Sequence, residues 1–141
     1  MMSEKGYEFF EHTADTGLKV YGRTIEELLV NAAQGLIELL VEDSPIAATE
    51  TRMMALSAPS LEALLQRWLK ELLFWFATDR FLPASYHFDT VAETELRGRI
   101  LGERFDPARH AHGLEVKGVT YHEYRVQRVH NRWEASVIFD V

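Results

Sequence analysis

The stretch from Ser60 to Phe76 reads SLEALLQRWLKELLFWF and predicts the helix around which the rest of the chain packs. Its leucines and aromatic residues recur at intervals of three and four residues, which is the spacing of one broad apolar helix face. Ser60 is suited to cap the N-terminus of this helix, and Glu62 interacts favourably with the positive end of the helix dipole. Charged residues interrupt the run too often for a membrane span. We therefore expect a core helix and no membrane partner.

A second helix is predicted upstream of this one, beginning after Thr24. Thr24 and Glu27 have the spacing of a capping box, in which the threonine hydroxyl accepts from the Glu27 amide and the glutamate reaches back. Apolar residues follow at helical spacing from Leu28 to Leu40, and Pro45 closes the segment.

The remaining apolar segments have the patterns of β-strands. The predicted strands cover residues 7–10, 18–21, 51–57, 86–91, 93–101, 114–129 and 133–141. Two helices among mostly antiparallel strands define an α+β fold. We expect a single domain over residues 1–141, with both helices packed on one face of a sheet of about six or seven strands.

Composition limits the classes of function. The 141 residues contain no cysteine, which excludes thiolate zinc sites and cysteine nucleophiles. The formal net charge of −7 speaks against a dedicated nucleic-acid binder. Residues 97–133 nevertheless hold eight Lys and Arg against four Asp and Glu, and RNA would be contacted directly at this basic strip. An ordinary solvated sheet face has the same composition. No signal peptide is visible, so we expect a cytoplasmic protein.

The chain has no phosphate-binding loop, serine-hydrolase elbow or zinc-protease helix motif. His12 and Asp15 flank a polar turn between two predicted strands, where Asp15 can bind a hard cation or cap the turn. His110 and His112 have the spacing of a metal pair, but we expect a structural or solvent-exposed role for them.

A further candidate is Lys117, which lies in the predicted strand 114–129. Alternation along that strand puts Lys117 on one face with Val119 and Tyr121. A lysine beside an apolar strand face normally extends to water. If carboxylates lie within reach, Lys117 is instead their charge partner or a contact for a phosphate.

The last candidate is the closing strand. Its odd-numbered residues from Trp133 to Phe139 share one apolar face, which leaves Asp140 on the other. The Asp140 carboxylate and the α-carboxylate of Val141 then lie side by side, and they repel unless water or a cation neutralises them. We expect a cation site here; a frayed terminus is the ordinary alternative.

Taken together, these places resemble the archease family. The resemblance covers essentially the whole chain, and the similar blocks come in the family's order. They are YEFFEHTAD at 7–15, VYGRTIEEL at 20–28, GERFD at 102–106 with His110, KGVTYH at 117–122 and VIFDV at 137–141.

The resemblance implies a protein cofactor and not an enzyme. Archeases act with the RtcB-type RNA ligase, which seals tRNA halves with GTP and a divalent metal, and they promote its guanylylation and multiple turnover. The metal-binding residues of the family map onto Asp15, Asp140 and the α-carboxylate of Val141. Lys117 matches a residue needed for activation, and His12 lies beside the cluster. Oxygen ligands favour calcium, with magnesium or manganese as alternatives, over zinc.

Two other functions stay open on the residues alone. A small metal-dependent hydrolase would use the same carboxylates to activate water, with His12 as the one evident base. An RNA-binding chaperone would use the basic strip, against the acidic balance of the chain. If the protein is a ligase cofactor, it contacts RNA through the ligase or directly at the basic strip.

Overall fold

Both predicted helices form, and the first carries the predicted cap. The computed structural model describes residues 6–12, 15–42 and 44–141, with His12 described by its backbone. Helix α1 spans Ile25–Leu40. The Thr24 hydroxyl accepts from the Glu27 amide at 3.0 Å, and the Glu27 carboxylate accepts from the Arg23 amide at 3.3 Å. The capping box therefore closes, with its return bond one residue earlier than predicted.

Helix α2 spans Leu61–Asp79, and the Ser60 hydroxyl caps it by accepting from the Ala63 amide at 3.2 Å. Its apolar stripe is buried, as predicted. Trp68 lies fully buried and donates from Nε1 to the Leu29 carbonyl of α1 at 2.8 Å. This bond gives the buried indole N–H a partner and ties the two helices together. In the part of the chain that the structure describes, neither helix is long and apolar enough to cross a membrane.

The described residues form ten strands, and every pair of neighbouring strands is antiparallel. In chain order they are β1 Tyr7–His12, β2 Asp15–Gly22, β3 Val41–Glu42, β4 Glu50–Ser57, β5 Phe81–Val91, β6 Glu95–Arg104, β7 Ala111–His112, β8 Gly118–Val119, β9 Arg125–Val129 and β10 Arg132–Asp140.

These strands build three sheets. The largest has the order β1-β2-β10, with β8 and β9 both along the far edge of β10. A second sheet has the order β4-β6-β5, and β3 pairs with β7 alone. The α+β class is confirmed. The expectation of one sheet with six or seven strands is replaced by ten strands in three sheets, because several short pairings were not visible in the sequence.

Two predicted strands differ in extent. The segment 114–129 was predicted as one extended strand, but it breaks into β8 and β9 with a turn between them. Glu123 has φ 50°, a left-handed conformation that no strand accommodates. Strand β5 begins at Phe81, five residues before the predicted start. Its ladder shifts register between Pro83 and Ser85, which accommodates a residue without an N–H.

The five-stranded sheet has one buried side and one open side. Leu18, Val20, Val137 and Phe139 are fully buried and belong to the core that contains both helices. Side chains alternate along a strand, so the residues between them lie on the opposite side. We call this opposite side the outer face; it carries Lys19 and Tyr21 of β2, Glu134 and Ser136 of β10, and Arg125 and Gln127 of β9.

Candidate metal site at the end of the five-stranded sheet

Strand pairing brings together two acids from opposite ends of the chain. Strand β2 pairs with β10, and the last pair of that ladder is Thr16 with Phe139. In the same antiparallel register the next residues are Asp15 and Asp140. Residues directly opposite each other in such a ladder have Cα atoms about 4.5–5.5 Å apart and share a face. The two carboxylates predicted as ligands therefore start from adjacent backbone positions at one end of the outer face.

The segment that contains Lys117, residues 117–122, reaches the same end of the sheet through β8. Gly118 pairs with Asp140, and the Lys117 amide donates to the Asp140 carbonyl at 2.7 Å. The prediction that Lys117, Val119 and Tyr121 share a strand face was wrong, because β8 has two residues and a turn follows it. Val119 is buried, whereas Lys117 and Tyr121 are exposed. The backbone of Lys117 nevertheless lies beside that of Asp140.

We call Asp15, Asp140 and the α-carboxylate of Val141 the carboxylate tip. Asp140 is exposed, and Asp15 and Val141 are half-buried. The Val141 side chain packs against the core, which holds the backbone beside Asp140 in place. Among the described residues no ion pair joins Lys117 to these carboxylates. The structure therefore brings carboxylates together at this end of the sheet, and Lys117 is not ion-paired with them.

The donor set suits a hard cation in an open site. Carboxylate oxygens are the donors that calcium prefers, and calcium accepts water or partner groups at its other positions. A Cβ built on Gly118, opposite Asp140, would meet nothing within 4 Å, so there is open space beside the acid. Within the described ranges no group of three or more His, Cys, Asp or Glu side chains surrounds a common point. The described side chains of the tip thus form no closed cage, and they fit an open site that further groups complete.

The prediction for His12 concerns a side chain outside the described residues. Its backbone pairs with Asp15 at the end of the β1–β2 ladder. Thr13 and Ala14 of the predicted polar turn also lie outside the described residues. Asp15 itself begins β2, so this strand starts three residues before the predicted start at Leu18.

A second acidic cluster, around Glu103, was not predicted as such. The Glu103 carboxylate is buried and accepts from the Ala47 amide at 2.6 Å, from His110 Nε2 at 3.0 Å and from Arg109. His110 Nδ1 accepts from the Asp106 amide at 2.8 Å, so its proton sits on Nε2 and points at Glu103. Hydrogen bonds from Arg109 foremost, and then from Ala47 and His110, lower the pKa of Glu103 to about 2. The expected structural role of His110 is confirmed.

The protein is a small α+β protein. Two helices pack behind an antiparallel sheet, and acids from both ends of the chain lie at one end of that sheet. Residues 7–141 match the model of the archease protein family, and the chain belongs to that family.

Individual relatives support this assignment over nearly the whole chain. The archease of Methanosarcina mazei is 32% identical over 141 residues, with 97% of each chain covered. The archease of Sulfurisphaera tokodaii is 33% identical over 136 residues, covering 96% of this chain and 98% of its own.

Two solved structures agree with the fold. The solution structure of Methanobacterium thermoautotrophicum protein 1598 is 34% identical, with a TM-score of 0.81 over 97% of this chain and 99% of its own. A crystal structure from Thermotoga maritima, described as an archease and possible chaperone, has a TM-score of 0.65 over 94% of each chain. At 21% identity the latter shows the fold alone.

Proposed function

We propose that this protein is an activating cofactor of an RtcB-type RNA ligase and presents a divalent cation to the ligase from the carboxylate tip. The observation that supports this most is the register of β2, β10 and β8. It places Asp15, Asp140 and Lys117, which come from three separate sequence motifs, at one end of a single sheet. Nothing in the packing of the core requires acids at that end, since Asp140 is exposed.

Asp15, Asp140 and the α-carboxylate of Val141 hold the cation in this proposal. Carboxylates on adjacent backbone positions repel one another, and the repulsion is relieved when a cation is shared between them. Binding is therefore favoured by charge, and the exposed position leaves the cation accessible to a partner. When bound, a calcium ion, or magnesium or manganese in its place, supplies a concentrated positive charge for phosphate oxygens at the partner's active site.

Lys117 acts beside the tip. Its ammonium cannot ligate a cation, because all three N–H groups are donors and no lone pair is free. The Lys117 side chain is exposed, and the backbone amide of the same residue donates to the Asp140 carbonyl. From there it reaches a phosphate or an acidic side chain of the ligase, and it moderates the repulsion at the tip when no cation is bound.

The proposal is tested by multiple-turnover RNA ligation with the cognate ligase, with and without this chain. We expect the chain to increase both the guanylylated fraction of the ligase and the number of turnovers, and the increase to require a divalent cation. Unchanged guanylylation and turnover would contradict the proposal. The chain alone, incubated with generic phosphoesters, provides the control: hydrolysis abolished by Asp140→Ala would favour a metal-dependent hydrolase instead.

A further inference from the structure

The outer face carries a row of three polar side chains that the proposed function does not use. Lys19 pairs with Ser136 across β2 and β10, and Ser136 pairs with Arg125 across β10 and β9. Residues opposite each other share a face, and neighbouring strands lie about 4.8 Å apart. Two cationic side chains therefore flank one hydroxyl on the open side of the sheet. We call these three residues the cationic row.

The charges of this row are not neutralised within the part of the chain that the structure describes. Lys19 and Arg125 are exposed, and neither forms an ion pair there. Glu8 lies opposite Lys19 at the β1 end of the same row, and Glu134 lies in the next row; both carboxylates have other partners. Tyr21 donates its hydroxyl to Glu8 at 3.0 Å, and Arg132 donates from Nε to Glu134 at 3.1 Å. With two cations and one acid, the row keeps one excess positive charge on a chain whose net charge is −7.

Aromatic rings border the row on both sides. A hollow of about 190 Å³ reaches from the row to Tyr21, and a hollow of about 560 Å³ reaches from it to Phe10 and Tyr124. The Phe10 ring lies against Gly17, where a Cβ would collide with it, and the Lys19 ammonium sits 5.9 Å from its centroid. The glycine therefore lets the ring lie close to the sheet as a wall of the larger hollow.

We propose that the cationic row binds a backbone phosphate of single-stranded RNA and that the flanking hollows receive the adjoining bases. A phosphate between two cations and a hydroxyl donor gains charge-assisted hydrogen bonds from each. Bases next to that phosphate find the Phe10 and Tyr124 rings on one side and, on the other, the Tyr21 ring, over which the Arg132 guanidinium lies 4.6 Å from the centroid. Cationic backbone contact combined with aromatic and guanidinium stacking is how proteins hold single strands. An acidic peptide would use the cations but would leave the aromatic hollows without a planar partner.

The row also lies on the same face as the carboxylate tip. Ser136 precedes Asp140 by four residues on β10, which corresponds to about 13–14 Å along the strand. Ile138 lies between them on the same face and is fully buried, with the Phe10 ring against its partner Gly17, so the surface between the row and the tip is apolar and covered. The choice of RNA over DNA rests on the proposed function, whereas the phosphate and base contacts rest on the row and its hollows alone.

The test is fluorescence anisotropy of a labelled single-stranded RNA with the full chain and without ligase. The double variant Lys19→Ala/Arg125→Ala is compared with Arg67→Ala/Lys70→Ala, which removes the same charge from exposed positions on α2, outside the basic strip. We expect the first variant to bind at least about tenfold more weakly and with a shallower salt dependence, and the second to bind within about twofold of the parent. Circular dichroism checks that both variants fold.

Three outcomes would overturn the proposal: no binding by the parent chain, an equal loss in both double variants, or competition by polyglutamate as effective as competition by unlabelled RNA. The last outcome would assign the row to an acidic protein surface. A fourth outcome, displacement by inorganic phosphate at the same concentration as the RNA, would also overturn the proposal and assign the row to a free anion. Because the ligase is absent from this experiment, a negative result rejects the cationic row and leaves the ligase proposal standing.

Discussion

The two acidic clusters of this protein differ in how their charge is compensated. Glu103 is 7% exposed and accepts hydrogen bonds from Arg109, His110 and the Ala47 amide. Asp140 is exposed, with Asp15 next to it in the strand register. A buried carboxylate must be paired and hydrogen-bonded if the fold is to be stable, whereas an exposed acid such as Asp140 contributes little to folding. Glu103 therefore stabilises the fold, whereas Asp140 is accessible to a ligand.

The largest effect is expected at the carboxylate tip. Asp140→Ala should abolish stimulation of the ligase while the free energy of unfolding changes by less than about 0.5 kcal/mol, because an exposed residue is removed. Guanylylation and urea unfolding are the measurements. Asp89→Ala removes an exposed acid from β5 and is the matched control. Normal stimulation by Asp140→Ala, or its unfolding, would show that the tip is not the functional cluster.

A slightly smaller loss is expected when the α-carboxylate of Val141 is changed. A short C-terminal extension converts it to an amide carbonyl, which removes one negative charge from the tip and puts new residues beside the cation. Affinity for hard cations depends on the charge and number of the ligands, so cation binding and ligase stimulation should both fall. The same extension placed at the N-terminus leaves this carboxylate unchanged and is the control. Equal activity of the two proteins would reduce the site to Asp15 and Asp140.

Lys117→Ala should give a partial loss. The variant loses the cationic side chain beside the tip but none of the oxygen donors, so stimulation should drop while calcium binding is retained. Lys117→Arg keeps the charge and should restore part of the stimulation. Loss of calcium binding in Lys117→Ala would instead make this residue a structural support of the site.

Glu103→Gln should destabilise the fold without affecting activation. The Ala47 amide and His110 Nε2 share the carboxylate oxygen Oε2, so the amide group of the variant keeps that acceptor and puts its NH2 in place of Oε1, against the Arg109 guanidinium. The lost acceptor and the lost charge cost about 2 kcal/mol. Urea unfolding measures this loss, and Glu95→Gln, an acid that is half-exposed, should change stability by less than about 0.5 kcal/mol. Unchanged stability in Glu103→Gln would contradict the structural role of the cluster.

The smallest effect is a pH dependence that belongs to Glu103. The hydrogen bond from Arg109 is the largest cause that lowers its pKa, from 4.5 to about 2. An acid with a lowered pKa in the folded state contributes stability that is present above its unfolded pKa and is lost as the pH falls through its folded pKa. Stability of the parent should therefore decline between about pH 5 and pH 2. Glu103→Gln should decline less steeply over the same range, and parallel curves would refute the assignment.

Local signals in the sequence were sufficient for the helices and for the closing strand. Thr24 and Ser60 cap as predicted, because a cap depends on residues within one turn. The alternation of β10 is equally local, and its odd-numbered positions from Ala135 to Phe139 are buried as predicted. The prediction of one strand over 114–129 was wrong because most of this segment has irregular backbone. Val116 and Val119 are buried all the same, and buried apolar residues at this spacing resemble a strand pattern.

The candidate site was predictable only in part. The resemblance pointed to Asp15, Asp140 and Lys117, but their proximity depends on the pairing of β2 with β10 and of β10 with β8. Such pairing joins residues far apart in the chain, and no local pattern encodes it. The burial of Glu103 has the same origin, since the Ala47 amide comes from a loop distant in sequence.

Calcium titration by calorimetry, with the purified chain and without ligase, tests most directly whether the tip binds a cation while the buried cluster does not. We predict one site in the parent chain, loss of that site in Asp15→Ala and in Asp140→Ala, and parental binding in Asp89→Ala and in Glu103→Gln under conditions where it is folded. Calcium binding that survives in both Asp15→Ala and Asp140→Ala, or no binding by the parent chain to calcium, magnesium or manganese, would contradict the account.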